Sequence, residues 1–114
     1  MAGIRQEKVG KLIAKELAII FQQHAKDMFS GAMISVTVVR MSPDLGVAKV
    51  YLSFFAPGGI NKDEFLGFVR SRASVIRGLL GKKIGKHVRS VPELIFFLDD
   101  SLDYAESIDN LLKD

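Results

Sequence analysis

Two runs of alternating residues, joined by a short turn, constrain the fold of this 114-residue chain more than any other feature. Met33 to Met41 is rich in β-branched residues, and its alternation places a row of apolar side chains ending at Val38 on one face. Val47 to Phe55 alternates in the same way. Ser42 to Gly46 has the composition of a turn, because its proline fixes φ and its glycine closes the turn. The sequence therefore predicts an antiparallel hairpin with one buried face.

An amphipathic helix is predicted before the hairpin, and a strand and a helix are predicted at the other end of the chain. Ile4 to Gln23 carries one apolar stripe at three- and four-residue spacing. Leu94 to Leu98 is wholly apolar and follows a helix-ending proline, which predicts a short strand buried on both faces. Asp99 to Ser101 then has the composition of a helix cap, and we predict a last helix over about residues 101–113.

A second helical stripe runs from Phe65 to Ile84. It follows Asn61, which has a glutamate three residues later and so has the spacing of an N-cap. Arg72 and Lys83 would fall within the apolar arc of a straight helix, where unpaired charges are seldom buried. We therefore predict a break that divides the stripe into two helices. The residues of this predicted helix kink are Arg72, Ala73 and Ser74.

The predicted order is α–β–β–α–α–β with an additional C-terminal helix, an α+β fold in which helices pack on one face of a three-stranded sheet. The length is typical of one domain, so a single domain over residues 1–114 is expected. The chain has no cysteine, and His24 and His87 are too isolated for a metal site. No apolar run reaches the ~18 residues of a membrane span. No phosphate-binding glycine loop or nucleophile elbow occurs, so neither a cofactor nor catalysis is predicted.

Charge is sorted by position along the chain. Phe65 to Pro92 contains seven Lys/Arg and no acid, whereas residues 93–114 contain seven acids and one base. Residues 1–92 carry 15 Lys/Arg against 6 Asp/Glu, a net of +9. A positive field of this kind favours a polyanionic partner, nucleic acid above all. A solvated helix face followed by an acidic tail is the alternative.

The candidate phosphate contacts are basic residues of two segments. The acid-free run supplies Arg70, Arg72, Arg77, Lys82, Lys83, Lys86 and Arg89. The N-terminal helix supplies a weaker set, diluted by two glutamates: Arg5, Lys8, Lys11 and Lys15. Gly78 to Gly81 spells a Gly-x-x-Gly motif, but its central leucines continue the apolar stripe and favour packing. Lys49 and Tyr51 share the outer face of the second strand, where an ordinary surface pair is favoured over stacking on a base.

Several segments, in this order and spacing, resemble the ribosome-binding factor A family, whose fold is KH-like. The N-terminal helix contributes Arg5 to Val9 and Ile13 to Leu17, and the hairpin contributes Val36 to Ser53. Further along, Ile76 to Lys83 and Val91 to Ser101 carry the likeness, the latter through Pro-Glu-Leu-x-Phe followed by Asp-x-Ser. Together these segments cover most of the chain.

The resemblance implies a type II KH-like domain and a non-enzymatic cytoplasmic assembly factor. Its implied partners are the small (30S) ribosomal subunit and its 16S rRNA, near the 5′-terminal region. Its implied role is late maturation and processing of that rRNA, including adaptation to cold. A monomer is expected, with no membrane, cofactor or small-molecule substrate. The chain departs from the family pattern at the kink, where Ser74 stands in place of a usual glycine.

Two other functions remain open on the sequence alone. One is a general single-stranded RNA-binding KH module with no ribosomal role. The other is a protein-interaction module whose basic face binds an acidic protein. For the acidic C-terminal segment, we hypothesise that it faces away from RNA or limits non-specific binding.

Overall fold

The computed structural model describes residues 2–56 and 58–99 of the chain, with side chains from residue 5 onward. Its elements follow the predicted order α–β–β–α–α–β. The predicted C-terminal helix, residues 101–113, lies outside the described residues. The elements are α1 (Ala2–Gln23), β1 (Met33–Met41), β2 (Val47–Phe55), α2 (Lys62–Ser71), α3 (Ala73–Ile84) and β3 (Glu93–Leu98).

The three strands form one mixed sheet in the order β1-β2-β3. As predicted, β1 and β2 are antiparallel, and their pairing runs from Met33 opposite Phe55 to Met41 opposite Ala48. β2 and β3 are parallel. Parallel neighbours need a connection that crosses the sheet, and here α2 and α3 form it.

A β-bulge in β1 changes which side chains face the helices. Val36 pairs with Leu52, but the next pair joins Val38 to Tyr51, so Thr37 is an extra residue. Val38 therefore lies on the sheet face opposite the helices, which we call the open face, and is 38% exposed. The prediction that Val38 continues the buried row of β1 is wrong, because the inserted residue reverses the alternation.

The hydrophobic core fills the space between the helices and the other face of the sheet. α1 lies against β1 and α3, and α2 lies against β3. Edge-to-face ring pairs cross this core, with centroids 4.8 Å apart for Phe54 and Phe65 and 5.5 Å apart for Phe21 and Phe29. Burying each large apolar side chain contributes about 1.5–3 kcal/mol. The largest fully buried side chains are Phe21, Phe29, Phe96, Ile13, Leu17, Ile20, Leu52, Ile76, Leu80, Ile84, Val50 and Val69.

β3 is an edge strand with one buried face. Leu94 and Phe96 are 6% and 1% exposed, whereas Ile95 and Phe97 are only half-buried on the open face. The prediction of a strand buried on both faces is wrong, because the described helices cover only one side of the sheet. A short apolar run does not by itself reveal whether a strand is central or at an edge.

The helix break lies at Arg72, within the predicted segment. Arg72 has φ −100° and ψ 7°, and its N–H donates to the carbonyl of Val69. A negative φ of this size is open to any L-residue, so the break needs no glycine. Ser74 lies inside α3. At the start of α2, the predicted cap is confirmed, because the side chain of Asn61 accepts from a backbone N–H three residues later.

Candidate nucleic-acid interface

Arg70, a predicted phosphate contact, bonds to the outer edge of β3. Its Nε donates to the carbonyl of Phe96 at 3.0 Å, and its guanidinium carbon lies 5.9 Å from the ring centroid of Phe97. The N–H groups of Glu93 and Asp99 donate to carbonyls on the β2 side, so the Phe96 carbonyl points away from the sheet. Arg70 thus satisfies an edge carbonyl that would otherwise require water or another chain.

Arg77 makes a similar contact to the segment that leads into β3. Its Nε donates to the carbonyl of Pro92 at 3.1 Å, and its Nη2 donates to the carbonyl of Val91 at 2.6 Å. α3 also approaches this segment closely, since a Cβ placed on Gly81 would lie 3.2 Å from a methyl group of Val91. Within the Gly-x-x-Gly sequence, Leu80 is fully buried and Gly81 packs against Val91, in agreement with the sequence-based interpretation.

Arg72 and Lys83, the two charges that predicted the break, both have partners within the fold. The guanidinium carbon of Arg72 lies 5.3 Å from the ring centroid of Phe68, a cation–π contact. Nζ of Lys83 lies 3.8 Å from Oε2 of Glu16 on α1. Both side chains of this ion pair are partly exposed, and such pairs contribute about 0–1 kcal/mol.

The remaining basic candidates are exposed, and within residues 5–56 and 58–99 they form no hydrogen bond or ion pair. We call them the unpaired basic residues. They lie on α1 and around the end of α3, two helices that pack against each other. The set consists of Arg5, Lys8, Lys11, Lys15, Lys82, Lys86 and Arg89. This arrangement suits contact with a polyanion, because desolvating these cations breaks no intramolecular ion pair.

Two members of this set, from the two ends of the described chain, meet at one groove. Arg5 and Arg89 both line a groove of about 540 Å³, and Asp44 of the β1–β2 turn lines it with them. The hydroxyl of Ser42 and the N–H of Gly46 donate to Oδ1 of Asp44 at 2.7 and 2.9 Å. These two hydrogen bonds lower the pKa of the Asp44 carboxyl, so it is ionised at neutral pH.

The open face of the sheet carries a second basic feature that the sequence interpretation missed. The pairing of β1 with β2 places Arg40 directly opposite Lys49, an unfavourable arrangement without a counter-charge. Only the strand register reveals this pair. Nearby, the ring of Tyr51 stacks on Phe97 with centroids 5.3 Å apart, a contact that the sequence did not predict.

Other kinds of site find no support in the part of the chain that the structure describes. No group of three or more His, Asp or Glu side chains there could hold a metal ion. No described helix is long and apolar enough to cross a membrane. His24 bonds to Asp27 at 3.1 Å.

Comparison with known proteins identifies the family. The family model described as "Ribosome-binding factor A" matches residues 5–112. The ribosome-binding factor A of Cytophaga hutchinsonii is 46% identical over 113 residues, which cover 99% of this chain and 84% of that protein. The protein of the same name from Flavobacterium johnsoniae is 43% identical over 109 residues, 95% of this chain and 82% of the relative. The chain belongs to the ribosome-binding factor A family.

Solved ribosome-binding factor A structures share the fold. The crystal structure of the Thermus thermophilus protein superposes with a TM-score of 0.67 at 19% identity, over 82% of this chain and 94% of that one. A homology model of the Thermus thermophilus ribosome-binding factor A, as fitted into the cryo-EM map of a 30S complex, gives a TM-score of 0.60 at 21% identity, over 78% of this chain and 89% of that one. The predicted family and the predicted α+β fold are both confirmed.

Proposed function

We propose that this chain is a ribosome assembly factor that binds the small (30S) ribosomal subunit through its rRNA. The observation that carries the proposal is the grouping of unpaired basic residues on α1 and around the end of α3. Membership of the ribosome-binding factor A family and the 30S-fitted Thermus thermophilus relative support the same partner.

The basic residues divide into two roles in this proposal. The unpaired basic residues contact phosphates, and each contact releases condensed counterions, so affinity falls steeply with salt. Arg70 and Arg77 hold α2 and α3 against β3, and their remaining N–H donors add to the positive surface. Arg72 and Lys83 complete that surface from the break and from the end of α3.

The proposal also includes a finer role, which the resemblance to the family supports. The bound factor assists late maturation and processing of 16S rRNA near its 5′-terminal region, and it supports growth in the cold. It works in the cytoplasm as one monomeric RNA-binding domain spanning residues 1–114. It acts by binding and release and not by catalysis, and it needs no cofactor.

Co-sedimentation with ribosomal particles tests the proposal. We expect the protein to sediment with free small subunits more than with mature ribosomes, and to be released as salt rises from about 50 to about 300 mM. Lys86→Glu should weaken this binding. Lys26→Glu is the matched control, because it makes the same charge change at an exposed position outside the proposed surface.

Three results would count against the proposal in different ways. Absence of co-sedimentation, together with equal affinity for any single-stranded RNA, would favour a general RNA-binding module. Equal loss for Lys86→Glu and Lys26→Glu would mean that net charge acts without a defined surface. Subunit binding that survives charge reversal at Lys82, Lys86 and Arg89 would favour contact with a protein.

Deleting residues 101–114 tests the hypothesis for the acidic C-terminal segment. We expect a folded truncation to bind non-specific RNA more tightly, because acids repel phosphate. Unchanged affinity in a truncation that keeps its circular dichroism spectrum would contradict the hypothesis.

A further inference from the structure

Arg5 and Arg89, two unpaired basic residues from sequence-distant segments, border a common groove. It opens between the first turns of α1, the β1–β2 turn and the segment between α3 and β3. Its volume of about 540 Å³ falls within the roughly 300–1,000 Å³ of small-ligand sites. We refer to it as the Arg5–Arg89 groove.

The two guanidiniums give the groove the chemistry of a phosphate site. Neither Arg5 nor Arg89 has a hydrogen-bonding or ionic partner among the described residues. Two like charges on one cavity repel each other unless an anion lies between them. Guanidinium groups match the geometry of phosphate oxygens and bind them with charge-assisted hydrogen bonds.

Part of the groove lining is apolar. Val9, Val88 and Leu45 are half-buried there, and Pro92 is buried. Leu45 has φ +62°, a left-handed conformation that is costly for a leucine. An unstacked base of single-stranded RNA can stack on an arginine guanidinium plane, and these apolar side chains offer it van der Waals contact.

Asp44 adds a hydrogen-bond acceptor to the groove. A site for phosphate alone would not favour a carboxylate there, because the two anions repel each other. Its Oδ1 already accepts from Ser42 and Gly46, which fixes the carboxylate at the groove. An ionised carboxylate repels phosphate but accepts hydrogen bonds from base N–H groups. Among the four bases, guanine presents two adjacent N–H donors on its pairing edge, whereas uracil presents one.

We propose that the Arg5–Arg89 groove binds one unpaired guanosine nucleotide of RNA, with its phosphate at the two arginines and its pairing edge at Asp44. The base packs against Val9 and Val88. This inference rests on the RNA-binding function proposed above and adds to it a preferred base and a place for it.

Nuclear magnetic resonance titration of the ¹⁵N-labelled full chain with the pentanucleotides UUGUU and UUUUU tests this directly. With UUGUU we expect the largest amide shifts at Val9, Gly46, Val88 and Ser90, and about fivefold tighter binding than with UUUUU. Arg5→Ala with Arg89→Ala should weaken UUGUU binding about tenfold or more. Lys26→Ala with Lys49→Ala removes the same charge from two exposed positions that do not line the groove and should have a smaller effect.

Asp44→Asn separates base recognition from electrostatics. Asparagine can still accept from Ser42 and Gly46, so the turn is kept. Loss of a repulsive charge should leave UUUUU binding equal or tighter, while the preference for guanosine disappears. An equal gain for both oligonucleotides would show that Asp44 does not read the base and would overturn the proposal.

Two further arms distinguish the possible failures. Free guanosine 5′-monophosphate that binds as tightly as UUGUU would mean a free nucleotide site and not an RNA site. Shifts confined to other surfaces, or absent, with normal subunit co-sedimentation would overturn the groove and leave the proposed function standing. Shifts at the groove residues without subunit co-sedimentation would support the groove and count against the proposed function.

Discussion

The arginines that contact β3 and its preceding segment and the lysines at the end of α3 come from the same acid-free run. They differ in whether they have partners within the fold. Arg70 and Arg77 donate to three backbone carbonyls, one on the β3 edge and two in the segment that leads into it. At the end of α3, Lys82 and Lys86 have no partner among the described residues. A run of like charge is therefore not one functional unit. Arg70 and Arg77 bond to their own chain, whereas Lys82 and Lys86 are among the residues proposed to contact RNA.

Removing the β3-edge arginines should have the largest effect on stability. Arg70→Met with Arg77→Met deletes three hydrogen bonds and should lower the free energy of unfolding by about 3 kcal/mol, at about 1 kcal/mol per bond. Urea denaturation measures this. Lys82→Met with Lys86→Met is the control and should change stability by less than about 0.5 kcal/mol. Similar decreases in the free energy of unfolding of the two variants would show that the two regions do not differ in this way.

Subunit binding should show the opposite pattern. Lys82→Met with Lys86→Met should weaken binding about tenfold and reduce the slope of log affinity against log salt by about 2. The arginine variant, measured at a temperature where it is folded, should change that slope by less. A larger reduction of the salt slope in the arginine variant than in the lysine variant would contradict this prediction.

The ion pair between Lys83 and Glu16 should contribute less to stability than the arginine hydrogen bonds and more than Lys82 or Lys86. Its coupling energy in a double-mutant cycle of Lys83→Met and Glu16→Gln should be at most about 1 kcal/mol, because both side chains are partly exposed. Salt at about 1 M should remove most of it. A larger, salt-resistant coupling would place Lys83 with the structural arginines.

The smallest expected effect is the pH response of the β1–β2 turn. The folded pKa of Asp44 lies below its unfolded value, so its stabilising effect is complete above the unfolded pKa. It is lost as pH falls through the lowered folded pKa. Asp44→Asn should flatten the stability profile between these two values in acid-titrated thermal unfolding. An unchanged profile would show that the hydrogen bonds from Ser42 and Gly46 do not act in this way.

Local pattern was enough to predict the strands of the hairpin, the cap at Asn61 and the break near Arg72, because each depends on residues close in sequence. The bulge at Thr37 was not predictable, since inserting one residue depends on how β1 meets β2. The edge position of β3 was hidden for a similar reason.

The partners of the basic residues were the least predictable part of the candidate site. Arg70 and Arg77 find carbonyls that lie 26 and 14–15 residues away in sequence. Nothing in the spacing of charges distinguishes them from Lys82 or Lys86. Contact between α1 and α3, which pairs Lys83 with Glu16, is likewise a property of the whole fold.

The break at Arg72 has arginine contacts to the β3 segment on both of its sides. Arg70 stands before it on α2 and Arg77 after it on α3. A change in the angle between these helices would strain the bond of Arg70 to β3 and the bonds of Arg77 to the segment that leads into it, so these contacts oppose bending at Arg72. Substitution of Ser74 should therefore change the stability of the fold little, whereas substitution of Arg70 or Arg77 should lower it.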